Sequence, residues 1–379
     1  MMQTVQLGKG WFPEESGGLN RYFRGLAEHL PDEGVEVTGM VAGSRDVVTH
    51  SHGLVQSFAG RNTALPFRLA RARACTRRTL REHPTALVVS HFALYTAPSL
   101  DLLRGTPLVV HFHGPWADES AVEGNRSLAT SLKRRMETAV YRQARRLVVL
   151  SEAFADVLAA QYGISPDRIR VIGGGVDTGA FAPTSSRRDA RNRLRWATDR
   201  PIALVVRRLV HRMGLENLID AVTLVRREVP DVLVMIAGSG PLAGELAHRI
   251  VDQDLHENVR LLGFVPDDDL PAAYRAADLS VVPSVALEGF GLVVAESLAA
   301  GTPVLVTDVG GLPETIRELA PDWIVPERTP EGLGRRLTAA LTGELPAPSE
   351  AACREHARSR FDWSVVARKV ERVYAEAMQ

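Results

Sequence analysis

Residues 278–301 read DLSVVPSVALEGFGLVVAESLAAG. Leu279 to Val282 is an apolar, β-branched run with the character of a buried strand. A loop follows, and a helix is expected from near Phe290. Glu288 lies at the end of the loop and Glu296 inside the helix, with seven residues between them. Gly289 and Gly291 flank Phe290 at the helix start. Glycines let a backbone approach a ligand closely. A helix N-terminus offers unpaired N–H groups and partial positive charge, which suits phosphate. Carboxylates repel phosphate but accept hydrogen bonds from sugar hydroxyls. The stretch has the chemistry to hold a phosphorylated sugar at both ends of its phosphate bridge. The same spacing also fits a plain strand–loop–helix unit carrying two surface acids.

Outward from this stretch, the same alternation recurs along all 379 residues. Residues 4–7 and 35–41 read as strands, as do 86–90, 107–111 and 147–150. IALVV (202–206), VLVMIA (232–237), the run from Asn258 and TPVLVT (302–307) continue the series. Helical spacing appears between them, for example at Leu19, Tyr22, Phe23, Leu26 and Leu30. Strand–helix alternation, twice over, predicts an α/β chain of two doubly wound domains. The Gly-rich run 173–175 and the segment 182–193 read as the junction. The expected domains are 1–180 and 181–360, with a last helix over 361–379 bearing Trp363, Val366, Val370, Val373 and Tyr374 on one side. Loops that follow strands (16–18, 111–114, 207–214, 263–266, 284–291) are where such sheets bind ligands, and facing domains would enclose a cleft.

Composition excludes several classes. Apolar residues are 45% and charged residues 24%, as in soluble globular chains, and no apolar run is long enough to span a membrane. The N-terminus lacks a signal-peptide pattern, so a cytoplasmic protein is expected. Net charge is zero, which gives no case for nucleic acid. Cys75 and Cys353 form neither a disulfide framework nor a metal-ligand spacing. Residues 61–81 hold seven arginines and no acid. This is read as a solvated helix face, with association to a membrane surface the less favoured reading. Residues 128–146 read as a second basic helix. Asp267 to Asp269 superficially make a metal-type Asp-x-Asp, but are read as helix-start residues, where aspartate caps. His111 and His113 end a strand; a metal role would need further ligands that the neighbourhood does not offer. No metal is expected.

EGFGLVVAES (288–297), followed by AAGTPVLVTDVGGLPE (299–314), resembles the donor site of glycosyltransferase family 4. The resemblance covers essentially the whole chain and is strongest over 258–316. It implies a GT-B fold, with two Rossmann-like domains facing across a cleft and the terminal helix crossing back to the first. It implies a retaining transferase that moves a sugar from a nucleoside diphosphate sugar, here a UDP sugar, to a hydroxyl acceptor. No cofactor is expected beyond that co-substrate, and with cationic side chains at the diphosphate no metal is required. The acceptor would be a small molecule such as a cyclitol, a lipid carrier or a polysaccharide.

Residue by residue, the resemblance assigns Glu296 to ribose hydroxyls and Glu288, with the Gly289–Phe290–Gly291–Leu292 backbone, to the sugar. It assigns His113 to the sugar near the reacting carbon, Phe264 and Val265 to the base, and the Gly17–Gly18 loop to the approach of the donor phosphate. Arg208 matches the family arginine on the diphosphate. Two positions depart from the pattern: Met213 stands where the family has lysine, and Arg207 where it has glycine, so Arg212 is a candidate for the second cation. Replacing Glu288 with glutamine is expected to cut turnover with little loss of fold. A nucleotide-sugar epimerase or hydrolase of the same architecture, and an inactive nucleotide-sugar-binding protein, are the competing readings. A Rossmann dehydrogenase is disfavoured, since the first unit has no Gly-x-Gly-x-x-Gly with an acid downstream.

Overall fold

The computed structural model describes residues 1–117 and 128–379. They fall into two compact units, Met1–Gly175 with Trp363–Gln379, and Val176–Asp362. The divisions lie at 175/176 and 362/363 rather than at 180/181 and 360/361. The reason is local: the Val176 N–H donates to the Phe361 carbonyl at 2.8 Å, and Val176 bridges Asp362, tying both ends of the second unit together.

The first unit is a seven-stranded parallel sheet. Its strands are β1 (Met2–Leu7), β2 (Val35–Ala42), β3 (Val55–Ala59), β4 (Leu87–Ser90), β5 (Leu108–Phe112), β6 (Arg146–Val149) and β7 (Ile169–Val171), in the order β3-β2-β1-β4-β5-β6-β7. Both faces are buried, which is why the strands read as continuous apolar runs. Val5, Leu7, Val88 and Val110 point into a core closed by helices Leu65–Glu82, Leu128–Gln143 and Glu152–Tyr162. Val37, Val41, Leu87 and Val89 point to the other side, against helices Gly18–His29 and Trp363–Met378. Trp363 fills the space left by two missing side chains: a Cβ on Gly25 or on Gly175 would lie 2.2 or 2.3 Å from its ring.

The second unit is a six-stranded parallel sheet of β8 (Ile202–Val206), β9 (Leu233–Ala237), β10 (Val259–Gly263), β11 (Leu279–Val282), β12 (Val304–Thr307) and β13 (Ile324–Val325), in the order β10-β9-β8-β11-β12-β13. In each sheet the strand order reverses once, between β1 and β4 and between β8 and β11. The crevice outside the carboxyl ends of those two strands is the expected ligand position.

Several sequence-based elements are corrected. Segment 182–193 is not simply a linker, since most of the helix Arg187–Leu194 lies in it. Its composition hides this, because the helix has no apolar stripe. It is capped by Ser186, which accepts from the Asp189 N–H, and anchored by the buried Arg191, which donates to the Ala276 carbonyl at 2.8 Å and to Asp278 at 2.7 Å. The basic helix ends at Gln143, and Arg146 opens β6 instead. Asp267–Asp269 do start a helix, as a 3-10 turn leading into Leu270–Ala276, but Asp269 at the N-cap makes no side-chain capping hydrogen bond and pairs with Arg193 at 2.8 Å. Strand β3 is not evident in the sequence, because its polar Gln56 and Ser57 mask the pattern. Among the described residues no helix is long and apolar enough to cross a membrane.

Candidate active site

The second unit assembles its site where β8 and β11 part. The loop after β8 carries Arg207 to Gly214, and the loop after β11 carries Pro283 to Gly291. The two are laced together. The Val285 N–H donates to the Arg212 carbonyl at 3.0 Å, and Arg212 Nη1 donates to the Leu287 carbonyl at 3.0 Å. Gly214 must be glycine here: its φ is +67°, and a Cβ would sit 2.0 Å from the Pro283 carbonyl oxygen. Arg212 is therefore a buried brace for the Glu288 loop.

Glu288 is buried and sits in a chain of polar contacts. Arg207 Nη1 lies 3.0 Å from its Oε2, and Ser284 Oγ donates to the same oxygen at 3.2 Å. Ser284 Oγ is in turn 3.9 Å from Met213 Sδ. From behind, the Gly310–Gly311 turn after β12 holds the Glu288 backbone. The Gly311 N–H donates to the Glu288 carbonyl at 3.0 Å, and Gly310 has φ +54° with a hypothetical Cβ only 2.0 Å from that carbonyl oxygen. Gly310→Ala is thus expected to cost about 1–2 kcal/mol from the left-handed backbone alone, and more once the clash is counted. A lowered urea midpoint together with weaker nucleotide binding checks this; an unchanged midpoint would show that the turn does not clasp Glu288.

The helix that follows runs Leu292–Ala299, two residues later than expected, because Gly291 adopts φ +82° and acts as its N-cap without any side-chain cap. No acid lies in its first turn, so its positive end is not neutralised from within. Phe290 spends its side chain on packing, edge-on to Phe361 with ring centres 5.2 Å apart. Only its backbone is available to a ligand. Glu296 is buried one turn into the helix and accepts from the Tyr274 hydroxyl at 3.0 Å. Arg208 is exposed and has no ion-pair partner among the described residues. Phe264 is 69% exposed just past β10, an unusual position for a phenyl ring, with Val265 partly buried beside it.

In the first unit, Gly17 and Gly18 open the helix Gly18–His29, again without a side-chain cap. Tyr22 from that helix packs edge-on to His113, ring centres 5.0 Å apart, so the glycine loop and His113 belong to one neighbourhood. His113 joins a stack of three imidazoles. His91 and His111 lie 4.5 Å apart and nearly parallel, and His113 Nε2 lies 3.5 Å from His91 Nδ1. His111 is bracketed by two phenols, Tyr22 Oη at 3.2 Å from Nδ1 and Tyr374 Oη at 2.9 Å from Nε2. A neutral imidazole has one donor and one acceptor nitrogen, so one tyrosine donates and the other accepts. Burial lowers all three histidines, His91 and His111 well below their usual range and His113 to about 3. Sequence reasoning missed His91, although it directly follows the strand ALVVS, and its N–H donates to the Leu7 carbonyl at the switch point of the first sheet. No group of three or more potential ligands is arranged to hold a metal among the described residues.

Comparison with known proteins bears on this arrangement. Residues 186–360 match the family model described as glycosyl transferases group 1, and residues 16–180 match the one described as Glycosyltransferase Family 4. The chain is 30% identical to the D-inositol 3-phosphate glycosyltransferase of Acidothermus cellulolyticus over 96% of this chain and 86% of that protein. This chain belongs to the family 4 glycosyltransferases. In its match to the D-inositol 3-phosphate glycosyltransferase of Streptomyces scabiei, 34% identical, the aligned part covers 64% of this chain and 56% of that protein. In that match the chain spans little more than half the length of its relative. Among solved structures, the sucrose-phosphate synthase of Thermosynechococcus elongatus superposes on this family 4 chain with a TM-score of 0.81 at 23% identity, covering 99% of each. The Anabaena protein HepE, in complex with UDP and glucose, gives 0.79 at 20% identity, covering 99% of this chain and 100% of its own. The family 4 chain therefore has the GT-B type of fold, built from two Rossmann-like parallel sheets.

Proposed function

We propose that this chain transfers a glycosyl group from a UDP sugar to a hydroxyl acceptor, with retention of configuration and with protein cations rather than a metal ion meeting the diphosphate. One observation carries the reading. A buried carboxylate, Glu288, is held at the switch point of the second sheet, directly before a glycine turn that opens an uncapped helix. That places a hydroxyl-accepting group next to a phosphate-accepting one, which is the pairing a nucleotide sugar presents. In this reading Glu288 and the Gly289–Leu292 backbone hold the sugar, and Glu296 takes the ribose. Arg208 has its charge free to meet the diphosphate as it leaves, an electrostatic task worth several kcal/mol. Phe264 and Val265 meet the base. His113, neutral at physiological pH, is assigned to the sugar as the resemblance implies. The names of the relatives make a phosphorylated cyclitol the first acceptor to try.

A thermal-shift screen of UDP, GDP, ADP and TDP sugars tests the donor. A ligand that binds only the folded chain stabilises it by mass action, by about 2.7 kcal/mol at a concentration one hundred times Kd, and so raises its melting temperature. UDP sugars are expected to stabilise the chain and the others not. Stabilisation by none of them would overturn the reading.

A further inference from the structure

Arg207 is not used up by its ion pair. It is nine-tenths buried, and Nη1 is committed to Glu288 at 3.0 Å. Its Nε and Nη2 are buried as well, and among the described residues neither has a hydrogen-bond partner. These two nitrogens share one edge of the guanidinium, the edge whose parallel N–H bonds form a fork for two oxygens of one phosphate. A buried donor without an acceptor is costly, and proteins rarely leave one so unless a ligand completes it. The edge is aimed at the helix start: Nη2 lies 3.9 Å from where a Cβ on Gly291 would be, and Gly291 is the N-cap of helix Leu292–Ala299. A second positive feature, the helix N-terminus, thus converges on the same place.

We infer that Arg207 is a phosphate-binding residue of the donor site, gripping Glu288 with one nitrogen and a phosphate of the diphosphate with its free edge. The inference rests on the donor reading above. It also accounts for the two departures from the family pattern together. Met213 brings no charge, but its sulfur is one hydroxyl removed from Glu288, through Ser284. The cation missing at 213 is resupplied across that carboxylate from 207. Arg212 braces the Glu288 loop instead, through the bond from its Nη1 to the Leu287 carbonyl and from the Val285 N–H to its own carbonyl.

Calorimetric titration of the full chain with pyrophosphate, UDP and uridine tests this. Arg207→Gln is expected to weaken pyrophosphate and UDP at least 10-fold and to leave uridine unchanged. Glu288→Gln, which releases Nη1 and removes a nearby negative charge, is expected to tighten pyrophosphate several-fold. A folded Arg207→Gln chain that binds pyrophosphate and UDP within twofold of wild type overturns the inference, since a residue that merely positions Glu288 would leave both unmoved. Should Arg207→Gln fail to fold, Arg207→Lys decides. It keeps a charge on Glu288 but has no fork, so at least a threefold loss is expected and wild-type affinity overturns the inference. Pyrophosphate binding that depends on Arg207, in a chain that binds no nucleotide sugar, upholds this site and sinks the donor reading. Nucleotide-sugar binding indifferent to Arg207 does the reverse. A chain that binds neither pyrophosphate nor UDP sinks both.

Discussion

Glu288→Gln is expected to lower turnover by about 10- to 100-fold, the range that follows from losing one hydrogen bond to a charged acceptor, about 1.5–3 kcal/mol. The fold will not come through untouched. Taken by itself the sequence suggests a surface acid whose charge can be removed freely, but the carboxylate is buried against Arg207 at 3.0 Å. Neutralising it leaves a guanidinium in a dry site with only an amide oxygen to donate to. Removing one partner of a buried pair is far costlier than the pair is worth. Since glutamine keeps one hydrogen bond, a loss of about 1–3 kcal/mol is expected, read from urea denaturation. UDP should restore part of that loss, because its phosphates replace the missing negative charge. Full turnover in the Glu288→Gln chain, at a saturating donor, would remove Glu288 from the reaction.

A second large effect is expected in mild acid. His91, His111 and His113 are held neutral by burial, and the unfolded chain binds a proton on each near pH 6.5. The folded values lie below the unfolded ones, so the stabilisation is complete above pH 6.5. It is lost as pH falls, at up to about 1.4 kcal/mol per pH unit for each histidine, and for His113 the loss continues to about pH 3. Most carboxylates titrate lower, near 4, which leaves pH 6.5 to 5 as a window in which histidines dominate. The urea midpoint should fall steeply across it, and His91→Asn should flatten the slope. A midpoint that is level from pH 7.5 to 5 would show that the stack is not sealed from protons.

What could be read without coordinates follows from periodicity. Among the described residues the strands are parallel and the central ones are covered on both faces, so most appear as unbroken apolar runs. Strand β3 and the two-residue β13 escaped, the first through Gln56 and Ser57, the second through its length. The glycines at 289, 291, 310 and 311 were legible because backbone closeness leaves a compositional trace. Arg207 was legible only as a misfit. Its position beside Glu288 depends on how the loops after β8 and β11 lace together, through contacts such as Arg212 to Leu287 that no spacing rule encodes. The imidazole stack was hidden for the same reason. His91 follows β4 while His111 lies in β5, and Tyr374 reaches His111 from the far end of the chain.

The first unit takes its last helix from the far end, and this sets the order in which the polypeptide can mature on the ribosome. Residues 176–362 emerge as one uninterrupted block and hold everything the second unit requires. Residues 1–175 emerge earlier yet must wait, with the face that includes Tyr22, Val37 and Val148 bare until Trp363 and its neighbours leave the exit tunnel. The half made first is therefore finished last, and during synthesis it is the half that needs sheltering from other nascent chains.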